Sequence, residues 1–210
     1  MFIIAIQGEK QHGKSTISRH LQNKFYFNEV SLAYPIKQIC AIVADEPIEY
    51  YDDEKKKEEM IPWMGITRRQ LMQYVGTELF QNKMMEISPL FALMVGRTIW
   101  CKRAYFEIEK IMERVRIENT RPRIVIPDNR MPHEQAFLDE TYDPKDILYI
   151  RVENPRKSKT EKTGHYSETG VALLRYNAFI SNDGTIEQLH DKVDDILESR
   201  GILFSDFNFS

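Results

Sequence analysis

The side chains best suited to chemistry cluster near the start of the chain, in Gly8-Glu9-Lys10-Gln11-His12-Gly13-Lys14-Ser15-Thr16. The spacing Gly8-x4-Gly13-Lys14-Ser15 is that of a loop whose backbone N–H groups surround phosphate oxygens. Gly8 lets the chain leave a strand at positive φ, and Gly13 admits backbone next to a phosphate with no Cβ in the way. The N–H groups from Lys10 to Thr16 then converge on the first turn of a helix, where the dipole favours an anion. Lys14 is placed for the β- and γ-phosphate oxygens and the Ser15 hydroxyl for Mg²⁺. The flanks agree: Ile3-Ile4-Ala5-Ile6 has strand character, and Ile17-x3-Leu21 repeats at helical spacing.

A phosphate cradle alone does not separate a motor, a switch, a synthetase and a kinase. A chain of 210 residues lacks room for a large motor, and no Asn/Thr-Lys-x-Asp segment of the kind that reads a guanine base is present. What the chain does carry is a second set of cations, Lys37, Arg68, Arg69 and Arg130. Phosphoryl transfer between two anions calls for such a set, because catalysis is mainly positioning and neutralisation of the equatorial oxygens. Arg68 and Arg69 stand in the first turn of a helix, where cations oppose the dipole by up to about 1 kcal/mol each. A bound anion would reverse that sign; pairing with surface acids would make the two arginines ordinary. Asp128 closes an apolar strand, where it can orient Mg²⁺ through water, polarise an acceptor, or simply bond its own turn. Arg130 has a surface partner in reach at Glu134. Arg156, with Lys157 and Lys159, lies on a polar stretch able to close over a donor and exclude water. His12 is read as shaping the loop, and His165 as a lid residue without chemistry.

These residues need elements to hold them. The pattern predicts helices over 14–24 and 35–44 and strands at Phe27–Leu32, Ile124–Pro127, Asp146–Val152 and Tyr176–Ser181. Asp45 to Pro62, acidic, then basic, then acidic again, reads as a solvated helix or loop with paired charges. Thr67-x2-Gln70 is a capping box opening a helix with Leu71, Tyr74 and Val75 on one face; Gly76 is expected to break it and Thr77-Glu78 to start another. Residues 89–118 read as one long helix, 132–140 as a short one, and 153–166 as a mobile loop. Thr185-x2-Gln188 caps a last helix with Ile186, Leu189, Val193 and Ile196 inward. Phe204, Phe207 and Phe209 in the tail are expected to dock on the body or on a partner, a second copy included. Strands alternating with helices imply a five-stranded parallel α/β sheet whose ligands bind beyond the strand carboxyl ends. The phosphate loop, Asp128-x-Arg130 and Asn182-Asp183-Gly184 all fall there.

Bulk properties bound the rest. A net charge of −3 gives no general attraction to nucleic acid. Cys40 and Cys101 read as buried reduced thiols. With no apolar run of membrane-spanning length and no charged-then-apolar leader, a cytoplasm-like compartment is expected.

Taken in order, Gly8 to Thr16, Ser31-Leu32-Ala33-Tyr34-Pro35-Ile36-Lys37, Thr67-Arg68-Arg69-x3-Gln73-x2-Gly76-Thr77-Glu78, Asp128-x-Arg130-x3-Glu134, His165-x-Ser167-Glu168 and Asn182-Asp183-Gly184-Thr185 resemble the deoxynucleoside monophosphate kinases of bacteriophages and large viruses. The likeness runs to about residue 197. It implies a single adenylate-kinase-like domain over 1–210, with an acceptor-binding helical region at 45–88 and a lid at 153–168. It also implies ATP and Mg²⁺ as the donor system, a deoxynucleoside 5′-monophosphate as acceptor, and, for a viral chain, the host cytoplasm. Arg68 and Arg130 would hold the acceptor phosphate, with Lys37, Arg69, Gln73 and Glu134 counted in the acceptor site. Asn182 and Gly184 would pass near the donor adenine. Residues 45–66 have no counterpart that the likeness places. Another small-metabolite kinase, acting on dephospho-coenzyme A or a nucleoside, and a non-catalytic nucleotide-binding protein remain open.

Overall fold

Ile3, Ile4, Ala5 and Ile6 are wholly buried because β1 (Phe2–Gln7) is the middle strand of a sheet covered on both faces. The computed structural model describes residues 1–117, 121–157 and 170–202. Two compact units are found, Met1–Val30 with Phe106 onward, and Ser31–Tyr105. The expected helical region at 45–88 falls inside the second.

The first unit holds β1, α1 (Lys14–Phe25), β2 (Asn28–Glu29), β5 (Arg123–Ile126), α6 (Pro132–Thr141), β6 (Ile147–Glu153), β7 (Ala178–Ser181) and α7 (Ile186–Ser199). The sheet order is β2-β5-β1-β6-β7, and every pair is parallel. Order therefore reverses at β1, and the loop after β1 sits where such sheets open a crevice. Alternation sends Ile4, Ile6, Val125, Leu148, Ile150 and Ile180 to one face, where they pack with Ile17, Leu21 and Phe25 of α1 and Leu189, Val193 and Leu197 of α7. The inward stripe of α7 thus runs 189-193-197, while Ile186, in its first turn, is exposed. On the other face the Tyr149 hydroxyl donates to Asp139 of α6 at 3.0 Å. The second strand is shorter than its apolar run suggests, because it pairs only at Asn28 and Glu29.

The second unit contains α2 (Tyr34–Ala44), 3₁₀ turns at Ile48–Tyr51 and Lys56–Glu58, and the hairpin β3 (Met60–Ile61) with β4 (Ile66–Thr67). After these come α3 (Arg68–Gln73), α4 (Pro89–Met94) and the start of α5 (Ile99–Ile117), which runs on into the first unit. Its core is Cys40, Ala41, Ala44, Tyr51, Ile61, Leu71 and Val75. Tyr51 and Ile61 are fully buried, so the 45–62 stretch adds apolar side chains to this core, while Asp52, Asp53, Lys55, Glu58 and Glu59 stay exposed.

Two expectations fail here. Gly76 does not break the helix; the chain continues from α3 into a π-helix, Tyr74–Asn82. Gly76 is buried against Ile36, whose Cδ1 would lie 2.9 Å from an added Cβ, and its carbonyl accepts Trp100 Nε1 at 2.8 Å. A bond from outside the helix to one of its carbonyls accompanies the wider winding. Residues 89–118 are not one helix either. The chain turns through a 3₁₀ segment, Gly96–Thr98, with Gly96 at φ +50°. The buried stripe of α5 is accordingly Trp100, Cys101, Ala104, Ile108 and Ile111, while Phe106 is exposed. No helix among the described residues is long and apolar enough to cross a membrane. Both cysteines are buried, and neither is in a disulfide.

Candidate active site

The loop between β1 and α1 is shaped by contacts that its sequence alone does not display. An added Cβ on Gly8 would lie 2.5 Å from the Val152 carbonyl oxygen of β6. Gly13 has φ +108°, and an added Cβ there would lie 2.5 Å from Asn182 Nδ2. Between them the chain turns through Gln11 at φ +63°. Lys14, nearly buried, donates its ammonium to the carbonyls of Gly8 at 2.8 Å and Glu9 at 2.6 Å. That lays the charge across the loop mouth. Helix α1 starts with no side-chain cap and no acid in its first turn, which leaves its N-terminal positive end for an anion. His12 is buried; burial lowers its pKa, Glu9 raises it and Lys14 lowers it further. The ring is thus packed inside the loop. Ser15 is exposed at the helix start and Thr16 half-buried; the Thr16 N–H donates to the Gly13 carbonyl at 3.1 Å.

A polar network closes the ends of β1 and β5. Gln7 Nε2 donates to Asn129 Oδ1 at 3.2 Å and to the Arg175 carbonyl at 2.9 Å. Gln135 donates to that same carbonyl at 2.8 Å and accepts from the Arg175 N–H at 2.9 Å. Gln7 and Asn129 have no solvent exposure. Their bond fixes the turn that carries Asp128 and Arg130 against the strand that carries the loop. Glu134 does not pair with the Arg130 guanidinium as a surface partner would. Its carboxylate accepts the backbone N–H groups of Arg130 at 2.7 Å and Met131 at 2.9 Å, capping α6. Burial pushes its pKa up to about 7 against those two bonds, with the Asp128 charge adding to the rise and Arg130 opposing it. Arg130 keeps a buried Nε without a hydrogen-bond partner.

The three expected cations of the second unit, Lys37, Arg68 and Arg69, each meet an acid of the 46–59 stretch. Arg68 is 4% exposed. It grips Glu46 through Nε at 2.8 Å and Nη2 at 2.6 Å, bonds the Lys56 carbonyl at 3.0 Å, and stacks on Tyr50 at 4.9 Å. The Glu46 bond and charge raise its pKa against the cost of burial. Its donors tie the 3₁₀ turns to α3, so an acceptor phosphate at Arg68 would compete with Glu46. Arg69 pairs with Glu58 at 2.6 Å and Glu54 at 3.3 Å, and Lys37 with Asp52 at 2.5 Å. Lys57, which the sequence did not single out, pairs with Glu54 at 2.9 Å, and its pKa is lowered by burial and by the neighbouring charges of Lys37 and Arg69. Gln73 is half-buried in the last turn of α3.

Asn182, expected near an adenine, donates its side-chain N–H to the His12 carbonyl at 3.0 Å. Gly184 leaves space for the Gln188 carboxamide, which caps Thr185 at 3.0 Å. Arg156 is exposed, and the next residue, Lys157, reaches Gln11 of the loop at 3.2 Å. Lys159, His165, Ser167, Glu168 and the rest of the expected lid beyond residue 157, together with the three tail phenylalanines, lie outside the described residues.

The sequence profile of the deoxynucleotide monophosphate kinases matches residues 49–193, more than half of the chain. The chain belongs to this family. It is a family of phosphotransferases, and the match takes in most of the 45–66 stretch that the sequence left unplaced. A protein of Acanthamoeba polyphaga mimivirus, described provisionally as a deoxynucleotide monophosphate kinase, is 27% identical over 92% of this chain and 94% of its own length. The deoxynucleotide monophosphate kinase of Escherichia phage RB69 is 24% identical over 94% of this chain and 100% of its own. Among solved structures, TT1252 from Thermus thermophilus overlays with a TM-score of 0.41 and 17% identity, covering 94% of this chain and 97% of that one.

Removing one partner of a buried ion pair leaves the other uncompensated, at about 3–5 kcal/mol. Arg68→Ala should therefore lower the urea-unfolding free energy by about 3 kcal/mol, and Arg68→Ala with Glu46→Ala by less. A stable Arg68→Ala whose defect is confined to acceptor binding would return Arg68 to the phosphate. Glu134 gives a pH test. The folded state keeps its proton up to about 7, whereas an unfolded glutamate loses it near 4.3. Between these values the folded state binds more protons, so ionisation subtracts stability as pH rises, and the loss is complete above the window. Glu134→Gln, which accepts the same N–H bonds, should gain on the wild type in urea midpoint from pH 5 to pH 8. Parallel curves would show that the carboxyl is not held up.

Proposed function

We propose that this protein transfers the γ-phosphoryl group of ATP, with Mg²⁺, to the 5′-phosphate of a deoxynucleoside monophosphate, giving ADP and a deoxynucleoside diphosphate. The observation that carries this reading is the loop after β1, with Lys14 across its mouth, in a chain of a kinase family. An oxygen of the acceptor phosphate attacks the γ-phosphorus, and the bond from that phosphorus to the β–γ bridging oxygen breaks. The loop amides and Lys14 hold the β- and γ-oxygens and neutralise the leaving charge. Arg130, at the end of β5, faces the equatorial oxygens and the acceptor phosphate, and Glu134 and Asn129 hold its turn. Lys37, Arg69 and Gln73 serve the acceptor. Arg156, beside the residue that touches Gln11, closes on the donor.

Among the described residues no cage of three or more His, Cys, Asp or Glu is assembled. The donor set offered instead is the Ser15 hydroxyl and the Asp128 carboxylate. Mg²⁺ takes hard oxygen ligands, and is commonly held by one or two protein groups with phosphates and water completing the shell, so these residues fit it. Ser15 and Asp128 would hold the ion, which would supply positive charge against the donor phosphates.

A coupled ADP-release assay with dAMP, dCMP, dGMP and dTMP, beside nucleosides and dephospho-coenzyme A, tests the acceptor. Turnover with at least one deoxynucleoside monophosphate is expected, and the panel reads the base. ATP bound with no acceptor phosphorylated would make the chain a nucleotide-binding protein without turnover. Lys14→Ala should lower kcat by about a hundredfold or more, as for loss of one oriented donor to developing charge. Arg130→Ala should both raise the acceptor KM and lower kcat; a change in stability alone would remove it from the site.

A further inference from the structure

We infer that Asn182 is a positioning residue for the phosphate loop: by holding the His12 carbonyl it turns the Gly13 N–H toward the bound phosphate. The inference rests on the phosphate-loop reading above and gives one side chain a task within it. Asn182 Nδ2 donates to the His12 carbonyl at 3.0 Å. No peptide bond in the chain is cis, and in a planar trans peptide the C=O and the following N–H point in opposite directions. With the His12 carbonyl drawn to Asn182, the N–H of Gly13 faces away from Asn182. It donates to no protein acceptor among the described residues.

The anchor is firm. The Asn182 backbone N–H donates to the Glu153 carbonyl at 2.7 Å, directly beyond the last paired residues of β6 and β7, Glu153 and Ser181. Three residues on, the capping box of Thr185 and Gln188 starts α7. The same contact explains Gly13: a Cβ there would lie 2.5 Å from Asn182 Nδ2 and 3.3 Å from Leu189. Glycine in the loop and asparagine after β7 are therefore one device, since the amide reaches the His12 carbonyl only over a residue without a side chain. The role differs from a contact with the donor base, because it acts on the phosphates of any nucleotide.

The test measures binding without turnover, by calorimetry with ATP, GTP and inorganic tripolyphosphate, on wild type, Asn182→Ala and Asn182→Asp. Asn182→Ala should weaken all three ligands by the same factor, about tenfold for one lost hydrogen bond. Asn182→Asp, which has the same shape but cannot donate and adds a negative charge, should weaken them further. Melting midpoints check that each variant is folded, and Asn182→Ser replaces any that is not. In the coupled assay the ATP KM should rise while the acceptor KM stays unchanged. Weaker ATP with unchanged tripolyphosphate would mean that Asn182 touches the base, and unchanged binding of all three would remove it from the loop; either overturns the inference. A wild type that binds neither ATP nor tripolyphosphate would instead overturn the phosphate-loop reading itself.

Discussion

On the proposed reading the loop after β1 works only while its peptide planes stay turned with their N–H groups inward, and two of its glycines are pressed from outside the loop. Val152 of β6 presses its carbonyl on Gly8, and Asn182 after β7 lies against Gly13. Lys14 closes the arrangement from within, on the carbonyls of Gly8 and Glu9. β6, beside β1, and β7, one strand further on, thus supply the mould for the segment that follows β1. The sheet order β1-β6-β7 is a requirement of the site as much as of the core. A slip of one residue between β1 and β6 would move Val152 off Gly8 and turn the apolar side chains of the moved strand to the opposite face.

The sheet changes character along its length for the same reason. Near its middle the interior is Ile, Leu and Val. At the carboxyl end the buried side chains are Gln7, His12, Lys14 and Asn129. A net hydrogen bond contributes about 1 kcal/mol, while an unsatisfied buried polar atom costs about 1–3 kcal/mol. Gln7 Oε1 and Asn129 Nδ2 have no hydrogen-bond partner among the described residues, which costs stability. The Gln7–Asn129 bond ties the turn after β5 to the end of β1.

How much of this was legible in the residues follows the range of the interactions. The loop, the capping boxes at Thr67 and Thr185 and the five strands are written in a few consecutive positions, and they stand in the structure at those places. Helix phase was harder. The pattern through 89–118 was read as continuous, but the 3₁₀ turn at Gly96–Thr98 resets it, so the buried stripe is Trp100, Ala104, Ile108 and Ile111 rather than one through Phe106. The winding through Gly76 depends on Trp100, 24 residues away. The tie between Arg68 and Glu46 spans 22 residues and joins a stretch whose charges suggest a solvated face, so no local pattern shows it. The Asn182 contact with His12 spans 170 residues. The one local sign of it was a glycine whose need for space could have been assigned to a phosphate alone.

The ion pairs of the second unit sort by burial into two kinds with different consequences. Arg68 and Glu46 are nearly enclosed, at 5% and 13% side-chain exposure. Separating such a pair costs several kcal/mol because each charge is left where water cannot reach it. Lys37 with Asp52 and Arg69 with Glu58 have one partner more than half exposed, and pairs of that kind contribute about 0–1 kcal/mol. A phosphate dianion competing for Lys37 or Arg69 would displace a carboxylate that water readily takes back, whereas competing for Arg68 would strand Glu46 among Tyr51 and the core. The energetic gap, not the residue type, sets Lys37 and Arg69 apart from Arg68.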